Sequence, residues 1–135
     1  MFAIKVEISD ATAKIFTFVA CKTMYAGKGI AAGDEIFIFA SENEGGPGLV
    51  ASGIVTSAAA IPKKPADARQ TPRVSVTIER IALTKRRLGR SELKLFSNWS
   101  DGRPETELNF KLYRQATNKI AGISHEAAVF LRSFC

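Results

Sequence analysis

The segment 33–55 constrains the fold of this chain more than any other. It opens with a Gly-Asp turn, and residues 36–40 are then apolar at every position, as expected for a strand covered on both faces. The loop 45–48 consists of three glycines and a proline, which end the strand because proline lacks the N–H that a ladder needs. Residues 49–55 then favour a return strand, in which Gly53 leaves space for a neighbouring backbone. The segment predicts a strand pair at the centre of a β-rich domain, with a ligand expected at its loop rim.

Length and composition indicate a globular protein. The chain has 135 residues, of which 46% are hydrophobic, so we expect a single domain over residues 1–135 rather than a disordered chain. No apolar run approaches the ~20 residues of a membrane span. Residues 1–8 alternate like a strand and lack a secretory apolar region. The sequence therefore predicts a cytoplasmic protein without a membrane segment.

Residues that could carry metal or acid–base chemistry are few. Two cysteines and the one histidine, His125, cannot complete a four-ligand zinc site without carboxylates. No Ser, Cys or carboxylate can be assigned to His125 as a catalytic partner. The loop 45–48 is not followed by the Gly-Lys-Ser/Thr of a phosphate loop. We therefore expect no metal, no cofactor and no catalytic residue, that is, a protein that is not an enzyme.

The positive charge is concentrated in one segment. The chain carries +6 overall, but residues 61–90 contain nine basic and two acidic residues, a net +7, and the other 105 residues carry −1. The basic residues flank a strand predicted at 74–79. Those expected to contact a ligand are Lys63, Lys64, Arg69 and Arg73 before the strand, and Lys85, Arg86, Arg87 and Arg90 after it. Such localisation is typical of proteins that bind polyanions, the alternative being a solvated surface that gives solubility.

The second half of the chain predicts short elements. Residues 91–96 favour a helix capped by Ser91. Residues 108–113 alternate apolar and polar, so a strand is the first interpretation and a helix the alternative. Residues 119–123 favour a strand, and Ser124 then caps a final helix with one apolar face. With five to seven strands and two or three short helices, the fold class is α+β, a small twisted barrel.

The order of these pieces resembles the EVE domain of the PUA-like barrel superfamily. The similar features are the Gly-Asp turn, the apolar strand 36–41, the Gly/Pro loop and a Gly-Ile-Val return at 53–55. The end of the chain is also similar, from Arg114 and Gln115 through the strand at 119–123 to the helix that follows. The resemblance implies a small twisted PUA-like β-barrel with short flanking helices. It also implies a pocket for one nucleobase, often a modified base flipped out of its strand, and relatives in the superfamily bind RNA.

A nucleobase pocket needs aromatic and hydrogen-bonding side chains. Trp99 lies beside Asn98 in a polar loop. If its indole stacks on a base, the contact would contribute roughly 1–3 kcal/mol to binding. The alternative is that the indole folds back and covers the core. The segment 18–28 before the Gly-Asp turn contains no Trp or Arg, and Tyr25 is its ring nearest the turn. We expect Ser41, Trp99 and Tyr113 to rim one cleft. The residues predicted to contact a base or its backbone are Tyr25, Ser41, Asn98, Trp99, Tyr113, Arg114 and Gln115.

The sequence thus predicts a module that binds nucleic acid, RNA or DNA, without catalysing a reaction. The basic loops would hold phosphates and the cleft would accept an unstacked base. One alternative is a small hydrolase such as a ribonuclease on a related barrel, with His125 or a carboxylate transferring protons. Another is a protein-interaction domain whose basic patch meets an acidic partner.

Overall fold

The computed structural model describes residues 1–62 and 71–135. The six strands of the barrel are β1 (Phe2–Val6), β2 (Ile15–Met24), β3 (Glu35–Ala40), β4 (Gly48–Ala60), β5 (Arg73–Leu83) and β6 (Lys119–Gly122). The α-helices are α1 (Arg90–Leu93), α2 (Pro104–Leu108) and α3 (His125–Arg132), and a π-helix (Asn109–Tyr113) continues α2. Short 3₁₀ turns occupy Gly27–Gly29 and Glu42–Glu44.

The strands close a barrel in the order β1-β3-β4-β5-β2-β6. β1 runs parallel to β3 and antiparallel to β6, and β2 runs parallel to β6 through the pairs Thr23–Ile120 and Met24–Ala121. The predicted small barrel with short helices is therefore confirmed.

The predicted strand pair in segment 33–55 is confirmed as β3 and β4, which pair antiparallel. The turn holds it at one end, where the Gly33 amide donates to the Val55 carbonyl at 2.7 Å and the Val55 amide donates to the Asp34 carbonyl at 2.9 Å. At the other end the Gly46 amide donates to the Ser41 carbonyl at 2.9 Å. Turn chemistry and strand pattern therefore agree over this whole segment.

β3 is apolar at consecutive positions because the two faces of the barrel wall are both covered. Ile36 and Ile38 point into the barrel interior, where they pack with residues of the other strands such as Ile78. Phe37 and Phe39 point outward into a second core, formed between the barrel wall and the helices. This second core fixes the positions of the helices, and with them the candidate site.

Gly53 is a position where packing requires glycine. A Cβ there would lie 2.6 Å from Cγ2 of Ile78 and 2.7 Å from the Glu79 carbonyl oxygen. We expect Gly53→Ala to lower the free energy of unfolding by about 1–3 kcal/mol, measured by urea denaturation. Gly29→Ala is the matched control, because a Cβ there meets no atom within 4 Å. Equal stability of the two variants would contradict this account.

The segment 108–113 is helical, so the first interpretation as a strand is wrong. Pro104 begins α2 at a position where a missing N–H costs nothing, and Glu105 and Glu107 lie in its first turn. Leu108 and Leu112 are fully buried against the barrel. The core between the barrel wall and the helices needs one apolar stripe at this position, and a helix supplies it. The alternation of apolar and polar residues over 108–113 is compatible with either a strand or a helix.

The other predicted elements are present with changed boundaries: the strand predicted at 74–79 extends over 73–83, and the helix predicted at 91–96 spans 90–93. Helix α1 begins after Gly89 rather than at Ser91, because the Glu92 carboxylate accepts from the Gly89 amide at 2.7 Å. Ser124 caps α3 as predicted, its Oγ accepting from the Ala127 amide at 3.1 Å. The strand predicted at 119–123 is β6.

Candidate functional site

One face of the helical run 103–114 forms the wall of a surface cavity. Side chains three or four positions apart on a helix lie on the same face, and the residues at this spacing are Arg103, Thr106, Glu107, Phe110, Lys111 and Arg114. The cavity has a volume of about 250 Å³ and is lined by Trp99, Gly102, Arg103, Thr106, Glu107, Phe110 and Lys111. We call it the Trp99 cavity.

Three aromatic rings and two cations form a continuous surface at this cavity. Trp99 is 46% exposed, and its ring lies 5.3 Å from that of Phe110 in an edge-to-face arrangement. The ring of Tyr25 lies 5.9 Å from Phe110 on another side. The Arg114 guanidinium lies 3.9 Å from the Phe110 ring centre, and Lys111 Nζ lies 5.7 Å from that of Tyr25. The indole therefore rests on one ring and leaves much of its surface open to a ligand.

The cavity wall is tied to the rest of the protein through Glu107. Its carboxylate accepts from the Ser124 amide at 2.8 Å, from the Ser124 hydroxyl, and from Lys111 Nζ at 3.0 Å. Burial opposes ionisation of Glu107, but these hydrogen bonds outweigh it and lower the pKa of the carboxyl. Lys111 Nζ also donates to the Gly122 carbonyl at 2.7 Å. The wall is thus preorganised before any ligand arrives.

Thr106 supplies a polar group to the same lining. Its side chain is buried. Hydrogen bonds from the Arg103 amide, then from the Thr106 hydroxyl, lower the pKa of the Asp101 carboxyl.

The structure separates Ser41 and Tyr113 from Trp99, which differs from the single cleft expected. Ser41 is buried at the end of β3, and Tyr113 is 9% exposed with its ring edge-on to Phe39 at 6.4 Å. Because residues 109–113 are helical, Phe110 faces the Trp99 cavity while Tyr113 turns towards the barrel. Burial, then the negative charge of Glu42, raises the pKa of Tyr113.

The remaining predicted contacts in this region lie near the cavity. Asn98 precedes Trp99 and is exposed, with Oδ1 accepting from the Ser100 amide at 3.3 Å. Arg114 is exposed above Phe110, and Gln115 is exposed beside it. Of the predicted residues, Trp99 lines the cavity, and Tyr25 and Arg114 contact Phe110 beside it.

Arg73 and the basic segment 85–90 lie at opposite ends of β5. Lys63, Lys64 and Arg69 fall outside the described residues. Arg73 begins the eleven-residue strand, and the segment 85–90 follows its other end, about 35 Å along the strand at a rise of ~3.3 Å per residue. Their side chains therefore cannot converge on one base, although they can contact separate phosphates.

The second basic segment makes several contacts within the protein. Arg86 donates to the Ser133 carbonyl at 3.1 Å and lies over the Phe134 ring at 4.2 Å. Arg87 forms ion pairs with Glu42 and Glu92, each at 3.4 Å. These ion pairs on a half-exposed arginine contribute little to stability, so Arg87 remains available to a phosphate.

One side of the glycine loop is covered by the segment 88–90, whereas Pro47 on the other side is exposed. A Cβ at Gly48 would clash with the Leu88 carbonyl, and the Leu49 amide donates to that same carbonyl at 2.8 Å. The Arg90 amide donates to the Glu42 carboxylate at 2.7 Å. A ligand at this rim therefore has access only from the other side, where Pro47 and Leu49 line a cavity of about 430 Å³ together with Lys85, Arg86 and Arg87.

Sequence reasoning missed six lining residues: Gly102, Arg103, Thr106, Glu107, Phe110 and Lys111. The signal for the last five was the proline at 104 followed by two glutamates, which is typical of a helix start. Once that segment is taken as a helix, positions 103, 106, 107, 110 and 111 fall on one face.

Within 1–62 and 71–135, no helix is both long and apolar enough to cross a membrane. In the same ranges, no three or more His, Cys, Asp or Glu side chains are grouped so as to hold a metal ion.

Comparison with solved structures shows that the fold is shared with DUF55, or EVE, domains, and the predicted resemblance is confirmed at the level of the fold alone. The DUF55 domain of human thymocyte nuclear protein 1 superposes with a TM-score of 0.65 at 17% identity, covering 98% of this chain and 96% of that one. The human THYN1 protein in complex with DNA containing 5-methylcytosine gives 0.65 at 16% identity, covering 98% and 95%. A hypothetical protein from Leishmania major gives 0.60 at 18% identity, covering 98% and 92%. No protein-family model and no curated protein matches the chain.

Proposed function

We propose that this protein is a nucleic-acid-binding module that accommodates a single base, unmodified or modified, in the Trp99 cavity. The observation that carries the proposal is the half-exposed Trp99 indole held on Phe110 beside the Arg114 guanidinium. Aromatic faces stack on bases and arginine binds phosphate, and together these are the two elements of single-strand recognition. A protein with the same fold has been crystallised with DNA containing 5-methylcytosine, which supports the proposal.

The dimensions and chemistry of the cavity suit one base. Its volume of about 250 Å³ lies just below the ~300–1,000 Å³ typical of pockets for drug-sized ligands. Trp99 and Phe110 provide planar apolar contacts. Arg103 and Lys111 stand at the same lining, where they would contact the flanking phosphates. The base would have to be unstacked to enter.

The salt dependence of binding tests the electrostatic part of the proposal. If about four phosphates are neutralised on a single strand, the slope of log affinity against log salt is about −3. Arg114→Gln should make this slope shallower by about 0.7 and weaken all sequences alike. Titration of a fluorescent single-stranded oligonucleotide at several salt concentrations measures both quantities.

The control for this titration is Lys94→Gln, which removes the same charge from an exposed position just after α1. It should leave the slope near that of the unchanged protein. Affinity that does not vary with salt, or equal slopes for the two variants, would contradict the proposal.

A cleavage assay separates the module from a hydrolase. His125 is exposed at the start of α3 and does not line the Trp99 cavity. Incubation with labelled single-stranded RNA and DNA should retain both strands intact. Cleavage products that disappear in His125→Ala would instead identify an enzyme.

A further inference from the structure

The seam between β2 and β6 has the fewest residue pairs of any two neighbouring strands in the closed barrel. Two residue pairs join these strands, and above them β2 bulges between Phe18 and Cys21, with Ala20 in a left-handed conformation at φ 53°. Bulges redirect strands and are common beside binding sites. A cavity of about 310 Å³ lies at this position, lined by Val6, Val19, Ala20, Cys21, Lys22, Arg73, Thr117, Asn118 and Lys119. We call it the seam cavity.

Two pairs of like charges face each other across the strands around this cavity. Lys22 lies directly opposite Arg73 across β2 and β5, and Lys5 lies directly opposite Lys119 across β1 and β6. Like charges in such positions destabilise an antiparallel pair. Within residues 1–62 and 71–135, none of these four cations forms an ion pair with a carboxylate. The positive charge is therefore left for another anion to balance.

Lys119 is the most deeply placed of these cations. It is 1% exposed, and its Nζ donates to the Lys111 carbonyl at 2.9 Å, one bond for an ammonium group that has three donors. Burial, then the charges of Lys5 and Arg114, lowers the pKa of Lys119 to about 8. An anion in the seam cavity would relieve both the missing bonds and the repulsion.

We propose that the seam cavity binds the phosphate group of a phosphate ester, with Lys22, Arg73 and Lys119 as its cationic contacts. Arginine and lysine form short, strong charge-assisted hydrogen bonds with phosphate oxygens. Val6 and Val19 give the same cavity an apolar wall for the rest of such a ligand. The Trp99 cavity shares no lining residue with it, so this site goes beyond the proposed function.

The two cysteines provide a direct test, because Cys21 lines the seam cavity and Cys135 does not. Both are free thiols that are partly exposed. Adenosine 5′-monophosphate and inorganic phosphate should slow alkylation of Cys21 by iodoacetamide and leave Cys135 unaffected, as read by mass spectrometry. Adenosine, which lacks the phosphate, should protect neither. Protection by adenosine equal to that by its monophosphate, or no protection by any phosphate compound, overturns the proposal.

Variants distinguish this site from the Trp99 cavity. Lys22 is exposed, and we expect Lys22→Gln and Arg73→Gln each to raise the ligand concentration needed to protect Cys21 by at least about tenfold. This is the loss expected for one charge-assisted hydrogen bond. Lys94→Gln and Trp99→Ala should leave that concentration unchanged. If Trp99→Ala removes the protection while Lys22→Gln does not, the phosphate lies in the Trp99 cavity and the seam site is refuted.

A single-stranded oligonucleotide without terminal phosphates identifies the source of the phosphate. Protection of Cys21 by this strand, lost in Lys22→Gln, assigns the site to a strand phosphate. Protection by the mononucleotide alone assigns it to a free phosphate ester. Both results support phosphate binding in the seam cavity. Neither result requires Trp99 to contribute to binding.

Discussion

Trp99→Ala is expected to weaken binding of a single-stranded oligonucleotide by about 5- to 150-fold, the equivalent of the ~1–3 kcal/mol that one base stacked on an aromatic ring contributes. The indole is 46% exposed and packs on Phe110, so nearly half of the surface that the substitution removes faces outward, where a ligand can reach it. Loss of the buried part should lower the thermal unfolding temperature, and this effect is independent of the ligand. Fluorescence anisotropy of a labelled strand measures the affinity, and the intrinsic fluorescence of the unchanged protein should be quenched on binding.

Two further variants define what the tryptophan provides. Leu95→Ala removes an exposed apolar side chain from the same connection and should not alter affinity. Trp99→Phe keeps a smaller stacking face and should retain part of the binding. Equal affinity for Trp99→Ala and the unchanged protein would place the nucleic acid elsewhere.

Lys119 is expected to make the protein more stable as the pH rises above 8. Its pKa is about 8 in the folded protein and 10.5 when unperturbed. Between these values the unfolded chain binds the proton more than the folded chain does, so the free energy of unfolding rises with pH. Over the full interval the gain is on the order of 3 kcal/mol at 1.36 kcal/mol per pKa unit. Urea denaturation at pH 7, 8, 9 and 10 measures it.

The comparison with Lys119→Met isolates this contribution. The variant should be more stable than the unchanged protein at pH 7, with an advantage that shrinks towards pH 10. Burial raises the pKa of Cys21 and Cys135, which titrate in the same range with the opposite sign, so the difference between the two proteins is the informative quantity. Lys94→Met is the control at an exposed position. A pH dependence that Lys119→Met leaves unchanged would refute the assignment.

The helical segment 103–114 shows why the site was only partly predictable. Leu108, Phe110 and Leu112 alternate, which suits a strand, yet two of them face the core between the barrel wall and the helices and Phe110 faces the Trp99 cavity. A helix whose two sides are both covered loses the simple apolar periodicity on which such predictions depend. Tyr113 was consequently assigned to a cleft that it does not line, and Phe110 was overlooked.

The amino-acid sequence by itself determined the β3–β4 pair, the turn before it, the capped helix α3 and the concentration of positive charge. Each depends on residues close together in the chain, since turn chemistry, strand alternation and capping act over a few positions. Only the tertiary structure decided that Trp99 meets Phe110 and Arg114, that Arg73 and the basic segment 85–90 stand at opposite ends of β5, and that Lys119 is buried beside Lys5. These features depend on how a closed barrel and its helices place distant segments, which no local pattern specifies.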